Sequence, residues 1–288
     1  MPYEYTGTAD RDLVESYRTD ESPFPTGSSR VYPRRDSLRD ELPLLKQLLF
    51  PRCWNATDLL ENRDEVCSRL SDLGHCIHMG ITAYGDSDDL TSVVDETLDR
   101  LPEIRRALKK DAEAAYKGDP AAKSYCEIIR SYPGFHAILT HRVAHTLYER
   151  DCFQYARELA EYSKTETGID IHPGADVGEH FFIDHGTGVV IGETAAIGDW
   201  ARIYQNVTLG ALHFKEREDE DNMLEKGYKR HPTLGDHVVI GAGSNVLGAI
   251  EIGDNVSIGA NSWVTDDVPD DTSVFITDHP EQKRKPNR

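Results

Sequence analysis

The sequence predicts an α+β chain, an α-helical N-terminal half followed by a parallel β-helix built of six-residue repeats. Two observations carry this. Through the first half apolar residues recur at intervals of three and four, and after Gly168 aliphatic residues return every six positions, often with glycine behind them.

The order of segments follows from these patterns. Residues 1–35 mix Ser, Thr, Asp, Glu, Pro and Gly without apolar periodicity and are expected to be a mobile, acidic leader. Residues 36–167 read as a helical domain, with helix-period runs such as Leu90, Val93, Val94, Leu98 and Leu101, and Ile138, Leu139, Val143 and Leu147. Gly118-Asp119-Pro120 and Tyr132-Pro133-Gly134 interrupt it, which places Asp119 at a helix boundary and starts a new helix near Gly134.

Residues 168–270 carry the hexads. The series runs Ile171, Val177, Ile183, Val189, slips by two residues, resumes at Ile191, Ile197, Ile203 and Leu209, and continues after an insertion from Leu234 to Val264. Small or branched residues sit four places on from members of the series, among them Ala195, Ala201, Val207, Val238, Ser244 and Val256. Each hexad is read as one face of a coil, with the aliphatic side chain inside and the glycine easing a tight corner. Between Leu209 and Leu234 the polar stretch FKEREDEDNMLEKGYKRHP has to leave the coil, as a binding loop or a solvated one. Residues 271–288 form a tail with basic Lys283, Arg284, Lys285 and Arg288.

Composition narrows the function. With 32 Lys plus Arg against 51 Asp plus Glu in 288 residues, the net charge is −19, and no segregated basic face favours nucleic acid. No apolar run approaches a membrane span and the N-terminus lacks signal-peptide features, so a cytoplasmic protein is expected. The five cysteines show no CxxC pairing and read as reduced thiols.

Five stretches, GDPAAKSY, YPGFHAILTHRVAH, GIDIHPGADVGEHFFIDHGTGVVIGET, YQNVTLGA and KRHPTLGDHVVIGAGS, together resemble the bacterial serine O-acetyltransferases over about residues 95 to 270. The resemblance implies a left-handed β-helix behind the helical domain, homotrimers or dimers of trimers, and acetyl transfer from acetyl-CoA to the hydroxyl of L-serine without a metal. It maps the catalytic base to His185 of DHGTG and its partner to Asp170 of DIHP. Asp184 and Asp119 would hold the substrate ammonium, Arg230 its carboxylate, and His231 would contact it. Acetyl-CoA would lie along the coil edge near Gly210, Ala211, Gly241, Ala242, Gly259 and Ala260, and the basic tail would meet its phosphates. Relatives that dock into O-acetylserine sulfhydrylase end in Ile; this chain ends in Lys-Pro-Asn-Arg, which counts against that partnership.

Chemistry supports the assignment of the base. A serine hydroxyl is a poor nucleophile until a base takes its proton, and imidazole can accept that proton and return one to the departing thiolate, an effect worth roughly 10²- to 10⁴-fold. A carboxylate on the other ring nitrogen would fix the tautomer. Asp170 and His185 are 15 residues apart, against a coil of about 18 expected from three hexads, which would bring them near one corner. Three alternatives stand beside this reading. One is another hexapeptide acyltransferase with a different acceptor, and a second is a trimeric scaffold with a decayed site. The third is a zinc enzyme using the His180 and His185 spacing, which lacks an upstream third ligand because His145 reads as helical.

Overall fold

The computed structural model describes residues 9, 13–16, 38–84, 89–217 and 222–277. Most of the expected leader and the four basic residues of the tail lie outside them. Seven helices are described from residue 38 onward: α1 Leu38–Leu49, α2 Arg63–Thr82, α3 Leu90–Asp99, α4 Leu101–Gly118, α5 Tyr125–Ser131, α6 Pro133–Tyr148 and α7 Phe153–Thr167. A 3₁₀ turn, Thr57–Leu60, joins the first two. The boundaries have local causes. Asn62 caps α2 by accepting from the Asp64 and Glu65 N–H groups, Pro133 opens α6, and Gly168 at φ +71° ends α7 in the left-handed conformation.

Fourteen short strands then wind into a parallel β-helix with three faces. The first face stacks β1 Asp170–Ile171, β4 Val190–Ile191, β7 Thr208–Gly210, β10 Asn245–Leu247 and β13 Trp263–Val264. The second stacks β2 Asp176–Val177, β5 Ala196–Ile197, β8 Thr233–Leu234 and β11 Glu251–Ile252. The third stacks β3 Phe182–Ile183, β6 Arg202–Ile203, β9 Val239–Ile240, β12 Ser257–Ile258 and β14 Ser273–Val274. The coil therefore runs past residue 270, because β14 pairs in register with β12.

Register explains the hexads. Ile171 lies over Ile191, Ile191 over Leu209 and Leu209 over Val246, so each face carries an aliphatic column along the axis. Every member of the predicted series is buried, as are Ala195, Ala201, Val207, Val238, Ser244 and Val256. The slip of two residues is located in one corner. Between the third and first faces the first coil takes eight positions from Ile183 to Ile191, where later coils take six, as from Ile203 to Leu209. The long insertion is located at the next edge, between β7 and β8. It carries an antiparallel bridge between Glu216 and Leu224.

The helices close the open end of the coil. α4 and α6 pack on β3, and α6 and α7 pack on β1. Gly134 is needed in this contact, since a Cβ there would sit 2.2 Å from the Ile183 carbonyl oxygen. At the centre, the Arg142 guanidinium donates to both Asp111 carboxylate oxygens at 2.8 and 2.9 Å, and to the Gly178 and Val177 carbonyls at 2.7 and 3.2 Å. Asp111 also accepts the Phe181 N–H at 2.9 Å, and its side chain is fully buried. Removing one partner leaves a buried charge without compensation. Arg142→Ala is expected to cost about 3–5 kcal/mol in denaturant unfolding, and Asp111→Leu with Arg142→Met to recover most of that loss; equal destabilisation by the single and double variants would contradict this.

Candidate active site

The extended corner between β3 and β4 sets the geometry. This corner, two residues longer than the others between these faces, turns through two consecutive left-handed residues, His185 at φ +59° and Gly186 at +86°, with Gly186 packed inward against Ile169 and Ile183. The His185 side chain is left 72% exposed. Asp184 lies beside it with a carboxylate oxygen 3.8 Å from Nε2, and burial pushes the Asp184 carboxyl above its usual range while His185 opposes that shift.

The helical cap brings a second carboxylate to this corner. Asp119 follows α4 and accepts the Ala121 N–H at 2.7 Å in the turn after it, while its other oxygen accepts from the Tyr132 hydroxyl. The Tyr132 hydrogen bond, then that of Ala121, holds the Asp119 carboxyl below its ordinary range and keeps it anionic. His185 and Asp184 exert electrostatic effects on Asp119 and Tyr132 respectively, so the four side chains form one cluster. The sequence reading missed Tyr132. Its only signal was the Tyr-Pro-Gly boundary.

Asp170 takes a different partner from the one expected. Its carboxylate accepts from Lys164 Nζ at 2.7 Å and lies 3.7 Å from Arg157, both on α7, and no hydrogen bond or ion pair to His185 is formed among the described residues. The spacing argument considered coil against coil, whereas below the first coil the neighbour is a helix carrying cations.

Arg230 and His231 lie on the next edge, where the long insertion returns to the coil. Arg230 pairs with Glu193, which also accepts the Tyr148 hydroxyl at 2.8 Å. Burial works against the Glu193 carboxylate, but these two donors hold it below its usual range. His231 is buried, with its ring packed where Gly192 lacks a Cβ. Its Nδ1 accepts from the Thr194 N–H at 3.1 Å and contacts Thr194 Oγ1 at 2.9 Å, so the neutral ring carries its proton on Nε2. Thr194 Oγ1 in turn accepts the N–H groups of Arg230 and His231. Tyr148, Glu193 and Thr194 were not foreseen.

The expected coenzyme residues divide between the two edges. Gly241, Ala242, Gly259 and Ala260 follow β9 and β12 and stack on the His185 edge, whereas Gly210 and Ala211 open the insertion on the Arg230 edge. Gly241 also serves the coil itself, because a Cβ there would meet the Ala260 nitrogen at 2.6 Å. His180 does not converge with His185: it stacks on Trp200 at 3.9 Å on the edge between the second and third faces. Among the described residues no group of three His, Cys, Asp or Glu side chains could hold a metal ion, and no helix is long and apolar enough to cross a membrane. All five cysteines are free.

Burial keeps several histidines neutral. His136, His172 and His231 are each pushed down to about 4, and His141 falls well below its ordinary value. In the unfolded chain these rings protonate near pH 6.5, so below that pH the unfolded state binds more protons and folding stability drops as pH falls toward about 4. The denaturant midpoint is expected to decline between pH 7 and 5 while at least four of the 12 histidine ring signals fail to titrate over that range; full titration of all 12 would contradict the assignment.

Comparison with known proteins agrees with this geometry. Residues 76–140 match the family model described as serine acetyltransferase, N-terminal, and residues 231–266 match bacterial transferase hexapeptide (six repeats). A plasmid serine acetyltransferase of Synechococcus elongatus is 43% identical over 271 residues, covering 87% of this chain and 84% of its own. The crystal structure of serine acetyltransferase isoform 3 from Entamoeba histolytica, in complex with cysteine, superposes with a TM-score of 0.77 at 45% identity, covering 97% of this chain and 95% of that one. A serine acetyltransferase solved with CoA gives 0.55 at 27% identity, covering 80% and 94%. The left-handed β-helix that the family resemblance implied is the fold of the chain.

Proposed function

Because the chain belongs to the serine acetyltransferase family, we propose that the corner carrying His185 is where an acetyl group passes from acetyl-CoA to the hydroxyl of L-serine. The observation behind this is the extended corner, which sets an accessible imidazole beside Asp184 and within the field of Asp119. His185 takes the proton of the serine hydroxyl as its oxygen attacks the thioester carbonyl. The tetrahedral intermediate collapses with C–S cleavage, and the imidazolium returns the proton to the thiolate, giving O-acetylserine and coenzyme A. Asp119 and Asp184 hold the ammonium.

Arg230 meets the carboxylate, and His231 offers Nε2–H as a neutral donor. These two side chains stand on a different edge from His185, and no hydrogen bond or ion pair among the described residues links the two groups. A second copy of the chain supplies them, which makes the working unit a homotrimer with each site shared between neighbours. Acetyl-CoA runs along the stacked Gly241, Ala242, Gly259 and Ala260, where the corners are small. Cysteine presents the same ammonium and carboxylate as serine and competes for this place. The enzyme works in the cytoplasm. Asp170 acts at the base of the corner through Lys164 and Arg157.

His185→Ala is expected to lower kcat by roughly 10²- to 10⁴-fold, with an unchanged oligomer, in an assay of coenzyme A release. Full activity in that variant would sink the assignment. Tyr132→Phe frees the Asp119 carboxylate and is expected to raise KM for serine several-fold with little change in kcat. Co-refolding equal amounts of His185→Ala and Arg230→Ala chains tests the shared site. Random trimers would regain about a quarter of normal activity, because one interface in four pairs an intact His185 with an intact Arg230; no recovery would place both residues in one chain's site.

A further inference from the structure

A cavity of about 610 Å³ lies among α4, α5 and the end of α1, and none of its lining residues belongs to the His185 corner. Phe50, Ala112, Tyr125 and Ile129 supply its apolar surface, and Arg105, Arg106, Lys109, Lys110 and Glu113 its charges. Tyr125 stacks on Tyr116 at 4.8 Å, which holds that wall.

The charges do not balance. Lys110 is taken by Glu179, and Glu113 by Lys117. Arg105 donates Nε to the Leu49 carbonyl at 2.6 Å and lies 5.7 Å from the Phe50 ring, with no carboxylate partner, while Arg106 and Lys109 have no ion pair among the described residues. Three uncompensated cations thus share one groove in a chain of net charge −19. Like charges packed this way repel one another, and an anion relieves that repulsion.

Size and shape narrow the anion. The volume falls within the roughly 300–1,000 Å³ of small-molecule sites, and aromatic walls beside guanidinium groups favour a flat ring with an anionic group attached. We propose that this groove binds a heteroaromatic phosphate of nucleoside monophosphate size, with the ring between Phe50 and Tyr125 and the phosphate against Arg105, Arg106 and Lys109.

Calorimetric titration of adenosine 5′-monophosphate into the full chain saturated with coenzyme A, so that the coenzyme's own nucleotide place is filled, tests this. Saturable binding is expected, weakened at least tenfold by Arg106→Glu with Lys109→Glu, while the kcat and KM for serine and the oligomeric state stay unchanged. Adenosine and inorganic phosphate are each expected to bind at least tenfold more weakly than the nucleotide. The milder pair Arg106→Ala with Lys109→Ala serves if the charge reversal fails to fold. The proposal is overturned by absence of binding at millimolar nucleotide, by binding that ignores both variants, by phosphate binding as well as the nucleotide, or by a change of oligomeric state, which would make the groove a contact between copies.

Discussion

The constraint on which the molecule rests is the fixed register of its parallel rungs. Each core aliphatic sits over another, 20 positions on in the first coil, 18 in the coils that follow and 16 in the last, except where the insertion stretches the step to 37. A rung that slipped by one residue would turn its core side chain to solvent and bring a polar one inside. Residues beyond the minimal hexad therefore have one place to go, outward at a corner. Two departures of this kind matter, and each carries candidate site residues. The two extra residues after β3 project His185, and the insertion between β7 and β8 returns through Arg230 and His231.

A stack of rungs has open ends, and the first rung needs a cover that also keeps the register of the site. The pairing of Asp111 with Arg142 suits this because it joins α4 and α6 to backbone carbonyls of the first coil at Val177 and Gly178. Its value lies in alignment more than in net stability, since taking two charges out of water offsets much of their attraction. With α4 fixed, its C-terminal turn delivers Asp119 to the corner that β3 opens. The helical domain and the coil thus each bring a carboxylate, Asp119 and Asp184, to this corner.

Much of this was legible in the sequence. The six-residue period identified the coil because every rung needs one buried aliphatic, and the slip and the insertion marked the two corners where chemistry sits. Tyr132 escaped notice because its bond to Asp119 spans 13 residues and two helix boundaries, a tertiary contact that no local pattern encodes. The expected link from Asp170 to His185 came from the family resemblance, supported by counting along the coil, and neither registers Lys164 and Arg157 on the helix that covers the coil's end. The zinc spacing failed for a related reason, since five steps along a rung pass from one edge to the next and carry His180 away from His185.

Charge explains why the two edges differ. Serine is a zwitterion, and in the proposed site the His185 edge meets it with carboxylates, which suit an ammonium and would repel the substrate carboxylate. The other edge has the opposite character in Arg230 and Lys229, with Glu193 fixing the arginine and Thr194 its backbone. Burial keeps His231 neutral there, and that is a chemical requirement as much as a consequence of packing. A charged imidazole beside Arg230 would crowd two cations together, whereas a neutral ring with its proton on Nε2 can donate to an oxygen that gains charge during attack. In the shared site proposed above, the acidic edge of one copy meets the basic edge of the next, so the two charges of the substrate are answered from opposite sides.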